Sequence, residues 1–110
     1  MAMIDDFLKL DIRVGKVIQV EEAPDLRKPV YKLTIDFGAE IGVKRSLAGV
    51  PPNYKKEALL NQLVLAVVNF PPRQMGKHLS EVLTLGVDDA EGKCVLIKPD
   101  WDVFLGSRLH

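Results

Sequence analysis

Apolar and polar residues alternate along much of this chain with the period of two that marks a strand wet on one face. The cleanest stretch places Tyr31, Leu33, Ile35 and Phe37 on one side and Lys32, Thr34 and Asp36 on the other, and Gly38 closes it. Upstream, Ile12, Val14, Ile18 and Val20 fall at strand spacing. Lys16 interrupts that apolar face, and Gly15 beside it marks a bulge or sharp bend. A third strand is expected with Ile41 and Val43 inward and Lys44 outward, stopped by Pro51 and Pro52. The run 63–68 is continuously apolar and rich in Val. At that length it reads as a strand covered on both faces. Leu83, Leu85 and Val87 alternate again, and the turn-forming residues 88–92 lead into a last strand from Cys94 to Ile97.

Helical signals are short. Asp5 or Asp6 is placed to cap a brief helix over 7–10, and Asn53 to cap another through 55–60. Residues 21–29 and 73–78 read as polar connections, and 101–109 as a short, partly extended tail. Closely spaced strands favour an antiparallel barrel or sandwich. A helix between the third and fourth of five strands is what an OB-fold barrel requires. The expected fold class is therefore all-β, a five-stranded OB-fold barrel with short helices.

The chain has 110 residues, 47% of them hydrophobic and 27% charged. That is one domain, 1–110, with one core, and it is too apolar for a disordered chain. The longest apolar run is far too short to span a bilayer, so no membrane insertion is expected. The N-terminus has neither the charged nor the apolar region of a signal peptide. Cys94 is the single cysteine and no intrachain disulfide can form. A lone thiol fits a reducing compartment, and the expected location is cytoplasmic.

The formal net charge is zero, which excludes a uniformly basic nucleic-acid protein. The balance is nevertheless a sum of opposed regions. Residues 27–77 hold nine basic and three acidic side chains, and the rest of the chain carries the compensating acidic excess. Such asymmetry suits an anionic partner, although solvated charges partitioned by chance give the same count. Enzyme chemistry finds no support. His78 and His110 are the only histidines, no metal-ligand spacing is present, and no nucleophile has a motif for its base. The carboxylate pairs Asp5-Asp6 and Asp88-Asp89 lie at a terminus and in a turn. No catalytic residue, metal or cofactor is expected.

Four stretches are more specific: Asp11-Ile12-Arg13-Val14-Gly15-Lys16-Val17; Tyr31-Lys32-Leu33-Thr34-Ile35-Asp36-Phe37-Gly38; Val67-Val68-Asn69-Phe70-Pro71-Pro72-Arg73-Gln74; and Ser80-Glu81-Val82-Leu83-Thr84-Leu85-Gly86. In order and spacing they resemble the tRNA-binding domain appended to methionyl-tRNA synthetases. Within that superfamily they are most similar to the CsaA export-chaperone family. The string Asn-Phe-Pro-Pro-Arg is the most distinctive.

The resemblance implies an OB-fold homodimer whose N-terminal helix, 1–10, and tail, 99–110, build the contact. Ile4, Phe7, Leu8 and Leu10 at the front, with Trp101, Val103, Phe104 and Leu105 at the back, are the candidate interface residues. The same residues can instead cover the barrel ends of a monomer. There is one departure. Family members typically read Ser-Ser-Ala-Gln-Ile-Thr where this chain has Ser46-Leu47-Ala48-Gly49-Val50-Pro51. Partner contacts made through those polar groups are altered here.

An OB-fold binds along strands two and three and their flanking loops, the region of the basic surplus. Arg13, Lys32, Lys44, Arg45, Arg73 and Lys77 are the candidate phosphate contacts, with Ser46, Asn69 and Ser80 as neutral donors. With 6% aromatic residues, base stacking rests on few rings. That favours tRNA or another structured RNA, recognised through backbone and shape. The chaperone resemblance implies a second partner class, unfolded or preprotein polypeptide, with the secretion machinery behind it. Leu47, Phe70, Met75 and Leu79 are the candidate peptide contacts, and Phe70 reads equally well as core. The remaining alternative is a tRNA-binding protein acting in trans with a synthetase, with no chaperone role.

Overall fold

The computed structural model describes all 110 residues. A short helix, α1 (Ile4–Leu8), precedes the long strand β1 (Ile12–Glu22). Then come β2 (Tyr31–Asp36), a single helical turn α2 (Gly38–Ile41), β3 (Val43–Ala48), α3 (Lys56–Leu59) and β4 (Leu63–Val67). A small hairpin, β5 (Arg73–Met75) and β6 (His78–Ser80), leads to β7 (Leu83–Thr84). A second hairpin, β8 (Gly86–Asp88) and β9 (Cys94–Leu96), precedes the tail.

Five strands form one antiparallel sheet in the order β3-β2-β1-β4-β7. Its two edges nearly meet. Ser46 Oγ on β3 accepts a hydrogen bond from Thr84 Oγ1 on β7 at 2.7 Å and donates to the Val82 carbonyl at 3.2 Å. Glu81 N donates to the Arg45 carbonyl at 2.8 Å, and Leu47 N to Ser80 Oγ at 3.0 Å. The result is a nearly closed five-stranded antiparallel barrel, with α3 between the third and fourth barrel strands as expected. No helix is long and apolar enough to cross a membrane.

The interior holds Val17, Leu33, Ile35, Phe37, Val50, Leu59 and Val64, all without measurable exposure. A second apolar layer lies outside the barrel, where Ile12, Val14, Leu65 and Val67 are covered by Phe7, Leu10, Leu85 and Ile97. Strand β4 is thus buried on both faces, as its unbroken apolar run predicts.

Several local expectations are corrected. The bend in β1 falls at Ile18, where the register against β2 shifts between Val17 and Gln19. The bulge flips the face, which leaves Ile18 43% exposed. Gly15 serves a different need: a Cβ there would press on Ile35 and sit 2.7 Å from Phe37. Helix α1 starts earlier than expected, with Asp6 in its first turn accepting from Met3 N at 2.8 Å. Asn53 does not cap α3. Its amide donates to Asp89 at 3.1 Å and to the Cys94 carbonyl at 3.0 Å, fastening the loop before α3 to β9.

The tail is extended along the start of β1. Val14 N donates to the Ser107 carbonyl at 2.9 Å, Gly106 N to Val14 at 2.8 Å, and Leu109 N to Ile12 at 2.8 Å.

Candidate nucleic-acid and peptide interface

Strand register fixes which side chains can share a surface, because residues paired across antiparallel strands point the same way. On β2 and β3 the pairs Leu33↔Ser46 and Ile35↔Lys44 have the inward parity, and Lys32↔Leu47, Thr34↔Arg45 and Asp36↔Val43 the outward one, with Thr34 covered there. Lys32, Arg45 and Leu47 therefore lie together on the outer face.

Lys44 does not join them. It has the inward orientation and is half-buried, while Val43 beside it is 54% exposed. The apolar spacing of Ile41 and Val43 suggests the opposite alternation, but Ile41 belongs to the turn α2 and the strand begins only at Val43. Ser46 is also inside, with no exposed surface and its hydroxyl used in barrel closure. Ser80 is likewise buried, donating to the Val82 carbonyl at 3.1 Å while accepting from Leu47 N. Both hydroxyls stitch the barrel and neither is offered to a partner.

Arg13 and Asn69 also have structural work. Arg13 donates to Asp11 Oδ1 at 2.6 Å, to Glu40 at 2.8 Å and to the Gly106 carbonyl at 3.0 Å. Its side chain is 13% exposed. Hydrogen bonds to Asp11 first, then Glu40, raise its already high pKa. Asn69 accepts from Asp11 N at 2.9 Å and donates to the Lys9 carbonyl at 2.8 Å, fixing the end of α1 to the end of β4.

Arg73 and Lys77 are exposed on the β5–β6 hairpin. Ser80 holds this hairpin beside β3 through Leu47 N, so Arg73 borders the outer face that carries Lys32 and Arg45. Between hairpin and barrel lies a pocket of about 220 Å³ lined by Leu47, Phe70, Arg73, Met75 and Leu83 among others. It gathers three of the four expected peptide contacts. Leu79 pairs with Gln74, on the ribbon side opposite Met75, and is 47% exposed. Phe70 is 42% exposed and so is not core.

Lys9, Arg13, Lys93 and Arg108 are ion-paired, and none of them lies on this face. Lys32, Arg45, Arg73 and Lys77 make no ion pair. An unpaired cation keeps its full charge available for an incoming phosphate. The hairpin is also anchored away from β3. His78 Nε2 lies 2.9 Å from Asp25 Oδ1 in the loop 23–30, and a Cβ on Gly76 would lie 3.1 Å from Leu26. Neither contact is apparent from sequence, because the partners are about fifty residues apart.

On α1 and the tail, Ile4, Leu8, Trp101, Val103 and Phe104 are exposed, Trp101 and Phe104 by 81% and 91%. Phe7 and Leu10 are partly committed to the second apolar layer, and Leu105 is half-buried. Arg108 donates to the Leu8 and Leu10 carbonyls at 3.2 and 3.3 Å, which holds tail and helix side by side.

Comparison with known proteins gives a consistent picture. The family described as "Putative tRNA binding domain" matches residues 12–108. Methionine–tRNA ligase of Pyrococcus abyssi is 40% identical over 106 residues, covering 96% of this chain and 14% of the ligase. The chain thus spans about a seventh of such relatives. Among solved structures, the CsaA chaperone protein of Picrophilus torridus is 44% identical with a TM-score of 0.93, and each chain is covered completely. The CsaA chaperone of Bacillus anthracis is 42% identical with a TM-score of 0.94, covering 100% of this chain and 99% of that one.

Proposed function

Because the chain belongs to the tRNA-binding domain family, and two CsaA chaperones match it from end to end, we propose that it is a non-catalytic binding protein that holds structured RNA, tRNA foremost, across the outer face of β2 and β3. The observation that carries this reading is the placement of three unpaired cations, Lys32, Arg45 and Arg73, at one face of the sheet. Lys32 and Arg45 lie on the sheet and Arg73 beside them at the base of the hairpin, with Lys77 exposed at its tip, while the ion-paired cations lie elsewhere. Phosphate-dominated binding of this kind is steeply salt-dependent. Few rings are available for stacking, which suits a folded RNA read by backbone and shape. A tRNA-binding protein serving a synthetase in trans would use the same face.

A second reading rests on a separate observation, the pocket between Leu47, Phe70 and Met75. An apolar hollow beside unpaired cations suits an extended, partly apolar polypeptide such as a preprotein segment. It supports a CsaA-like, export-related chaperone role, with the secretion machinery as a downstream partner. Here Leu47 makes the pocket more apolar than the family's usual serine would.

The protein works as a cytoplasmic homodimer. The exposed Ile4, Leu8, Trp101, Val103 and Phe104 support a two-fold contact. Fully burying one such side chain contributes roughly 1.5–3 kcal/mol, a gain unused while the face is wet.

The test compares affinity for tRNA and for an unfolded peptide from low to moderate salt. Neutralising Lys32, Arg45 and Arg73 is expected to weaken tRNA binding and spare the peptide. Phe70→Ser with Met75→Ser is expected to do the reverse. If neither set alters either affinity, this face is not the binding surface.

A further inference from the structure

The loop 23–30 joins β1 to β2 and carries Arg27 and Lys28, both exposed and neither in an ion pair. Beneath them lies a pocket of about 350 Å³, bounded by Arg27, Lys28, Pro29, Tyr31, Pro51 and Glu22 among others. That volume is at the lower end of small-ligand sites. It is distinct from the hollow at Phe70 and Met75, with no lining residue in common.

The loop is braced. Ala23 N donates to the Val30 carbonyl at 3.4 Å across its neck, and Leu26 N to Ala23 at 3.1 Å within its turn. Asp25 meets His78, and Leu26 abuts Gly76, so the hairpin supports it from outside. Tyr31 donates its hydroxyl to the Tyr54 carbonyl at 3.0 Å, which fixes the ring at the pocket wall. A pre-formed cavity loses less ordering entropy on binding.

The geometry points to a nucleotide subsite: one unpaired nucleotide of the bound RNA enters this pocket, its phosphate held between Arg27 and Lys28 and its base against Tyr31 and the prolines. Arg offers two parallel donors to a phosphate and Lys a point charge. The ring and the proline faces supply the apolar contact a splayed base needs. Glu22, the only carboxylate on the wall, can accept from a base amine or ring N–H. The placement rests on the reading above that the neighbouring face holds RNA, because the hairpin carrying Arg73 and Lys77 is the element that braces this loop.

The test has two arms. In the first, the free mononucleotide AMP is titrated into the protein and backbone amide shifts are followed. Shifts are expected in residues 22–31, and Arg27→Gln with Lys28→Gln should abolish them. Lys55→Gln with Lys56→Gln, an equal charge change outside the pocket, should leave them intact. In the second arm, tRNA affinity is measured against salt. The Arg27/Lys28 variant is expected to lower the slope of log affinity on log salt by about two, with the Lys55/Lys56 variant as the control. Absence of AMP shifts in 22–31, or shifts equal in the two variants, overturns the subsite. A tRNA that still binds in that event leaves the broader reading standing. If AMP moves the loop but tRNA does not bind, the pocket takes a free nucleotide only, and the RNA reading and the RNA subsite fall together.

Discussion

His78 Nε2 lies 2.9 Å from Asp25 Oδ1, and this contact joins the β5–β6 hairpin to the loop 23–30. The hydrogen bond from His78 is the largest influence holding the Asp25 carboxyl below its ordinary pKa. A depressed carboxylate stabilises the fold above its unfolded pKa, and the contribution disappears as pH falls through the lower folded value. Asp25→Asn should therefore lower the melting temperature at pH 7. The difference from the unaltered protein should shrink as pH drops below the usual carboxylate range, about 4. Melting curves from pH 7 to pH 3 check it. A difference that stays constant with pH contradicts the linkage.

Ser46 closes the barrel instead of facing a partner. Ser46→Ala leaves the half-buried Thr84 hydroxyl without its acceptor and the Val82 carbonyl without the Ser46 donor, and is expected to cost about 1–3 kcal/mol of stability, read from urea unfolding. tRNA affinity, measured where the variant is folded, should be unchanged. An undiminished stability with lost RNA binding would return Ser46 to the binding surface.

Arg13 ties β1 to Asp11, Glu40 and the tail at Gly106. Arg13→Gln should loosen the tail, seen as faster amide exchange at Val14 and Gly106, whose protons bond across that junction. The salt slope for tRNA should not change, because no phosphate contact is lost. A slope reduced by about one would instead make Arg13 a phosphate ligand.

What sequence patterning could reveal depended on how local the cause was. The β2 alternation and the doubly buried β4 follow from nearest neighbours and are legible directly. Lys44 and Ser46 are not. Their orientation depends on where α2 yields to β3, and a serine is tolerated inside only because Thr84 and Val82, some 36–38 residues on, satisfy it. Arg13 and Asn69 belong to motif stretches, yet their partners sit up to 93 residues away. A residue that holds distant segments together looks the same in sequence as one that holds a ligand. Of the outward trio only Lys32 is legible, from the β2 alternation; Arg45 and Leu47 follow from the β3 parity, which the apolar spacing of Ile41 and Val43 reverses.

Trp101 and Phe104 are the most exposed large apolar side chains after the N-terminal Met1. If they sit in a two-fold contact, solution mass should correspond to two chains. Trp101→Glu with Phe104→Glu should give one chain with an unchanged circular dichroism spectrum. A single-chain mass for the unaltered protein at micromolar concentration contradicts the dimer.

Where RNA docks depends on which cations share a face, and one pair of double variants separates the possibilities. tRNA affinity is measured against salt for Lys32→Gln with Arg45→Gln and, separately, for Lys44→Gln with Arg13→Gln. Both pairs remove two charges from neighbouring strands of one sheet, β2 and β3 in the first and β1 and β3 in the second. The outward pair should lower the salt slope by about two, and the other pair should leave it unchanged. Equal losses from both pairs would mean that RNA responds only to net charge and that the outer face of β2 and β3 is not its docking surface.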